Sequence, residues 1–231
     1  MHIAIIGAGI SGLMSALELV EQGCTVSIFD QQQAGQAASW AGGGILSPMY
    51  PWRYVHAVNQ IAQFGKSSYQ EWNQRLSPVT GIDFEIHDTG MLIFDEEDFD
   101  IGLSYAEQHQ EPMQRCEYLQ RDALERVNPH ISDQFQQAIY FPELSNIRNP
   151  RVLQSLIVYL KKHPNVEFFE HSAVKKIDST WRCYTSLTNR RWSQTYSRSF
   201  CNNFGGLEPL LELTITTRNS SRTCSRTNVI I

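Results

Sequence analysis

The first thirty residues, "MHIAIIGAGISGLMSALELVEQGCTVSIFD", leave this chain few folds to choose from. His2–Ile6 is a short and almost wholly apolar run, the pattern of a parallel strand buried on both faces. Gly7-Ala8-Gly9-Ile10-Ser11-Gly12 follows without a break. Leu13, Ala16, Leu17 and Val20 then recur at helical spacing. A second apolar run, Thr25–Phe29, ends at Asp30, about 18 residues past Gly12. Each glycine has a mechanical use in such a turn. Gly7 permits the tight bend, Gly9 lets a pyrophosphate approach the backbone, and Gly12 lets the helix pack close to the strand. The helix start offers amides without partners and the positive end of a dipole, where a phosphate is favoured. Asp30 is placed to accept hydrogen bonds from a ribose diol and would repel a 2′-phosphate, which argues against NADP.

That fingerprint points to a dinucleotide but does not separate NAD from FAD, because both carry an ADP half. The following "QAASWAGGGILSPMYPW" bears on the choice. It is a second stretch of small residues, and its triplet Gly42-Gly43-Gly44 lets backbone pass close to something flat or bulky, although a flexible loop would read the same way. Ser39 could donate to a phosphate or a ribityl hydroxyl.

With "IAIIGAGISG…SIFD" followed by "AASWAGGGILSP", the chain resembles the amino-terminal half of the D-amino-acid oxidase group of flavoproteins. The likeness is to the glycine oxidases of thiamine biosynthesis and their sarcosine-oxidase-like relatives, strong over residues 1–50 and running to about Ile177. The resemblance implies FAD as cofactor and an oxidase of a small amine or amino acid, with O2 reduced to H2O2. It puts Ile10 and Ser11 on the pyrophosphate and Asp30 and Gln31 at the adenosine ribose. It puts Ser39, Gly43, Gly44 and Ile45 near the flavin and the backbone of Val174 at the adenine. Ile45 stands where some relatives have a Met facing the substrate, a departure that leaves substrate preference open. The Arg that clamps a substrate carboxylate in such enzymes belongs to their later half. Arg53 and Arg148 are the candidates here, each equally readable as a surface charge, so no catalytic residue is assigned.

Between residues 51 and 150 the chain reads as a mixture of helices and antiparallel strands. Val55, Val58, Ile61, Ala62, Tyr69, Trp72 and Leu76 form one helical stripe, expected to be core. "IDFEIHDTGMLIFD" alternates around Asp88-Thr89-Gly90 and predicts a hairpin. The acidic run Asp95-Glu96-Glu97-Asp98 reads as a solvated helix start, and "RDALERVNP" as a short helix. "RVLQSLIVYLKKH" is an amphipathic helix, and "NVEFFEHSAVKKI" gives two strand-like pieces, returning to the idiom of the first domain. The expected class is α/β: a Rossmann-like FAD-binding domain (residues 1–80 and 150–180) with an interleaved α+β substrate domain (81–149), incomplete.

The tail changes language. Residues 1–180 hold 12 Lys and Arg against 22 Asp and Glu, whereas residues 181–231 hold seven Arg, two Glu and no Lys, Ala, Asp, Met or His. Read in a frame displaced by one base, Ser197–Glu208 permits "ADHFVITSGAWS", a buried strand ending at a small-residue turn. Residues 181–231 are therefore expected to be an aberrant, off-frame basic tail, and turnover by this chain to be impaired or absent. One rival is a non-catalytic FAD-binding remnant. The other, weaker, is a basic arm for RNA, with Trp181, Tyr184, Trp192, Tyr196 and Phe200 to stack bases.

Other chemistries find little support. There is no Tyr-x-x-x-Lys, no H-E-x-x-H and no G-x-S-x-G, and no metal site is expected. Five cysteines (Cys24, Cys116, Cys183, Cys201, Cys224) lack paired spacing and read as free thiols. With 42% hydrophobic and 19% charged residues, no apolar run of roughly 20 and no leader, the expectation is a cytoplasmic globular protein without membrane contact. A homo-oligomer is left open.

Overall fold

The computed structural model describes residues 1–46, 49–108 and 115–174, together with the backbone of three short strands at 185–187, 213–215 and 227–230. In chain order the elements begin with β1 (His2–Ile6), α1 (Ile10–Glu21), β2 (Thr25–Phe29) and β3 (Ile45–Leu46). A short 3-10 turn over Pro51–Arg53 leads into α2 (His56–Ala62), α3 (Gly65–Thr80), β4 (His87–Asp88) and β5 (Met91–Ile93). Then come α4 (Phe99–Gln108), β6 (Glu117–Gln120), α5 (Arg121–Val127), β7 (Gln137–Phe141) and β8 (Ser145–Asn146). Last are α6 (Asn149–Lys162), β9 (Val166–Phe169), β10 (Thr185–Leu187), β11 (Leu213–Ile215) and β12 (Thr227–Ile230).

The chain divides into two compact units. One comprises residues 1–42, 79–82 and 149–231; the other comprises residues 43–78 and 83–148. The expected nucleotide-binding segment 1–80 is thus cut at Gly42. The reason is packing: Tyr50 and Trp52, just past the cut, lie against a core built from Ile93, Phe99, Cys116, Ile139, Phe141 and Leu144.

In the first unit a parallel sheet has the order β12-β1-β2-β9. Parallel neighbours need a crossover, and α1 supplies the one between β1 and β2. Ile3, Ala4, Ile5, Val26, Ile28 and Phe29 are all buried, as strands covered on both faces must be. Leu13, Ala16, Leu17 and Val20 form the buried face of α1, and Val152, Leu153, Leu156 and Leu160 that of α6. Each fully buried Leu or Ile of this kind contributes roughly 1.5–3 kcal/mol. The expected return to the first sheet is met by β9, whose Phe169 stacks on Phe29 with ring centroids 4.6 Å apart. Only one of the two strand-like pieces in "NVEFFEHSAVKKI" forms within the described residues: Glu170 and His171 turn and the chain to Val174 is irregular. Most of the tail, on which the expected frame displacement and the RNA-arm rival both fall, lies outside the described residues.

The second unit holds two antiparallel sheets, β3-β8-β4 and β5-β7-β6. Three expectations change here. The hairpin around Asp88-Thr89-Gly90 does not close on itself: β4 pairs with β8, and β5 pairs with β7. Gly90 N donates to Leu144 O and Ser145 Oγ to Asp88 Oδ1, so the turn hands the chain from one sheet to the other. The stripe expected as core is buried at Leu76 alone: Ala62, Tyr69 and Trp72 are half-buried, and at its start Val55 is 70% exposed and Ile61 76%. Helical periodicity alone does not say which face meets a neighbour. The acidic run is not a solvated helix start throughout, because Asp98 is buried and accepts from Trp52 Nε1 at 3.0 Å and from the Arg53 guanidinium.

Candidate nucleotide-binding site

The site is built where β1 ends. Gly7 has φ +102°, a conformation closed to most side chains, and its amide donates to Phe29 O at 2.7 Å, joining the turn to the end of β2. A Cβ on Gly12 would stand 2.0 Å from Gly7 O, so the first turn of α1 sits against the glycine bend with no room for any side chain. The first bond of the helix runs from Leu13 N to Gly9 O at 3.0 Å, so the amides of Ser11 and Gly12 precede the intrahelical ladder. Ile10 N donates instead to Ser39 Oγ at 3.1 Å.

These residues enclose a cleft of about 220 Å³ lined by Ile5, Ile6, Gly7, Gly9, Ile10, Ser11, Gly12, Ser15 and Ser39. Five residues predicted from the motif (Gly7, Gly9, Ile10, Ser11, Gly12) and Ser39 thus share one concavity. Asp30 stands beside the turn: Oδ2 accepts from Ala8 N at 2.7 Å and Oδ1 from Gln32 N at 2.8 Å. Each carboxylate oxygen keeps lone-pair capacity beyond that one backbone donor. Gln31 follows it, exposed, and Val174 is half-buried in the irregular segment after β9. Gly43, Gly44 and Ile45 belong to the second unit, where Gly44 O accepts from Ile147 N at 2.7 Å and Ile45 is 45% exposed.

The sequence reading missed Ser15, a fourth-position neighbour of Ser11 that a helical wheel drawn from the turn would have found. It also missed Glu170, whose carboxylate accepts the amide of Ala34; no local motif signals that bond across 136 positions. Both candidate clamps are occupied within the second unit. Arg53 is paired with Asp98 and lies over the Tyr50 ring, and Arg148 is paired with Glu85 at 2.9 Å. Among the described residues no group of three or more His, Cys, Asp or Glu could hold a metal ion, and no helix is long and apolar enough to cross a membrane.

The family profile described as FAD dependent oxidoreductase matches residues 2–198. The chain belongs to that family. A glycine oxidase of Pseudomonas aeruginosa is 38% identical over 174 residues, which are 75% of this chain and 47% of that protein. A glycine oxidase of Pseudomonas putida is 36% identical over 173 residues, with the same coverages. This chain therefore spans about half the length of the curated relatives it matches. The crystal structure of glycine oxidase from Bacillus cereus superposes with a TM-score of 0.68 at 20% identity, over 82% of this chain and 52% of that one. That likeness carries the Rossmann-like fold, and the family carries FAD as the cofactor. The residues fit such a group: Gly7 and Gly9 add no side chain to the cleft lining, and Ser11 and Gly12, whose amides precede the helical ladder, line it too.

Proposed function

We propose that this chain is the FAD-binding part of an oxidase of a small amine or amino acid, of the glycine oxidase type. The observation that carries the reading is the single cleft that gathers Gly7, Gly9, Ile10, Ser11, Gly12 and Ser39 at the start of α1. In this reading the Ser11 and Gly12 amides donate to the diphosphate, and Ser39 Oγ, already bound to Ile10 N, keeps its proton for a phosphate or ribityl oxygen. Asp30 accepts the adenosine ribose hydroxyls beside Gln31. Val174 offers backbone to the adenine. FAD, when bound, would supply the acceptor for the hydride that leaves the substrate α-carbon and would pass those two electrons to O2, giving H2O2. The chain itself contributes binding and orientation; with Arg53 and Arg148 both held by carboxylates, no free guanidinium among these two remains for a substrate carboxylate. Turnover by this chain is accordingly impaired or absent, the tail being off-frame.

The test is direct. Incubate the purified full chain with FAD, pass it through gel filtration, and record flavin absorbance in the protein peak and peroxide from glycine and from sarcosine. Retained flavin without peroxide is expected. A folded chain that takes up no flavin overturns the reading; sustained peroxide overturns the impairment.

A further inference from the structure

Residues 170–172 close on the loop that follows β2. Glu170 Oε1 accepts from Ala34 N at 2.9 Å, His171 N donates to Gln32 O at 3.0 Å, and Ser172 N donates to Asp30 O at 2.6 Å. The second carboxylate oxygen of Glu170 pairs with Lys161 Nζ at 2.9 Å, at the last turn of α6. One side chain thus joins the loop to a helix. His171 adopts φ +55°, a left-handed conformation that is unfavourable for a non-glycine residue and persists where surrounding bonds fix it. Burial works against the Glu170 charge, but the Ala34 amide and Lys161 outweigh it and hold the carboxyl below its ordinary value. The charged form is the one the amide and the ammonium grip.

The loop so gripped carries Asp30 and Gln31 at one end and the buried Ala34 at the other. Its opposite side is tied to the glycine turn, by Ala8 N to Asp30 Oδ2 at 2.7 Å and by Gly35 N to Ala8 O at 2.9 Å. We propose that Glu170 is a positioning residue for the adenosine side of the site: its carboxylate ties the Asp30 loop to α6 and so fixes where Asp30 presents its free lone pairs. The proposal rests on the nucleotide reading above. Glu170 does not line the cleft, so it acts through the loop and makes no bond to the amides of α1.

Calorimetric titration of the full-length chain with FAD, ADP and inorganic pyrophosphate tests it in the variants E170A, E170Q and K161M. E170A weakens FAD and ADP about tenfold and leaves pyrophosphate unchanged, because pyrophosphate probes the helix start alone. E170Q keeps a side-chain oxygen for Ala34 N and loses only the ion pair, so it and K161M each weaken ADP no more than about threefold. Unchanged ADP binding in E170A overturns the proposal, and so does equal weakening of ADP and pyrophosphate, which marks a general loss of structure. Amide hydrogen exchange of residues 30–35 in the cofactor-free chain gives a second readout, expected to quicken in E170A and not in E170Q. If the unmodified chain takes up neither FAD nor ADP, the nucleotide reading fails, and the exchange rates still decide whether Glu170 holds the loop.

Discussion

Replacing Gly12 by Ala adds one methyl group to the tightest place in the fold. Its carbon would lie 2.0 Å from Gly7 O, 3.1 Å from Gly7 C and 3.2 Å from Ile5 Cγ2. The obstacle is backbone, so no rotamer change relieves it, and turn and helix must separate by about 1.4 Å to bring 2.0 Å up to van der Waals contact. Overpacking costs about 1–3 kcal/mol in general, and an obstacle that cannot rotate away puts G12A at the upper end. For a chain of this size each kcal/mol lowers the melting temperature by about 2–4 °C, so a fall of roughly 6–12 °C is expected in circular dichroism melts. The same separation moves the Ser11 and Gly12 amides away from the turn. Bonds to a charged ligand are worth about 1.5–3 kcal/mol each, so FAD affinity falls at least tenfold. Gly43→Ala is the control: its Cβ meets nothing within 4 Å, and the variant should melt with the parent. A G12A protein that melts within about 1 °C of the parent and keeps its flavin would show that α1 does not press on the glycine bend.

Two further outcomes follow from the second unit. Leu76, 1% exposed, should cost about 2–5 kcal/mol when cut to Ala, whereas Ile61, 76% exposed, should tolerate Ser within about 0.5 kcal/mol in urea denaturation; the reverse order would restore the buried stripe. Tyr50 donates its hydroxyl to Asp95, and that bond, then burial, then the charge of Asp95, push its phenol up to about 12 from 10.0. A pKa raised by folding stabilises the protein below the unfolded value, and the contribution is lost as pH rises from about 10 through about 12. Y50F should therefore flatten the fall of the urea midpoint across that window and remove one late-titrating phenol at 295 nm.

The nucleotide half of the fold was legible because its constraints are local. A glycine that must bend, a glycine that must stay bare and a helical stripe all act within thirty residues, and the structure has β1, α1 and β2 where they were expected. The strand that returns at β9 was legible as well, from an amphipathic helix followed by an apolar run. What escaped is set by partners distant in sequence. Asp98 looked solvated because nothing nearby reveals that Trp52 and Arg53 come to meet it. The stripe through Val55 and Ile61 carries the right period, yet its first three members, Val55, Val58 and Ile61, stay exposed. β4 and β5 alternate like a hairpin, yet each finds a better edge elsewhere. Within the candidate site the same division holds: the turn residues are adjacent in sequence and line one cleft with Ser39, while Glu170 depends on a chain crossing that no motif records.

That crossing has a consequence for how the protein is made. Val26 of β2 lies in register with Val166 of β9, about 140 residues later. At roughly 5–20 residues per second, a ribosome needs some 7–28 s to deliver the second strand after the first. During that interval both edges of the β1–β2 pair are bare, since β12 follows later still, and the Asp30 loop has no clamp. Contacts this distant in sequence close slowly even once synthesis is over, so a newborn chain meets any early-arriving flavin with half a receptacle.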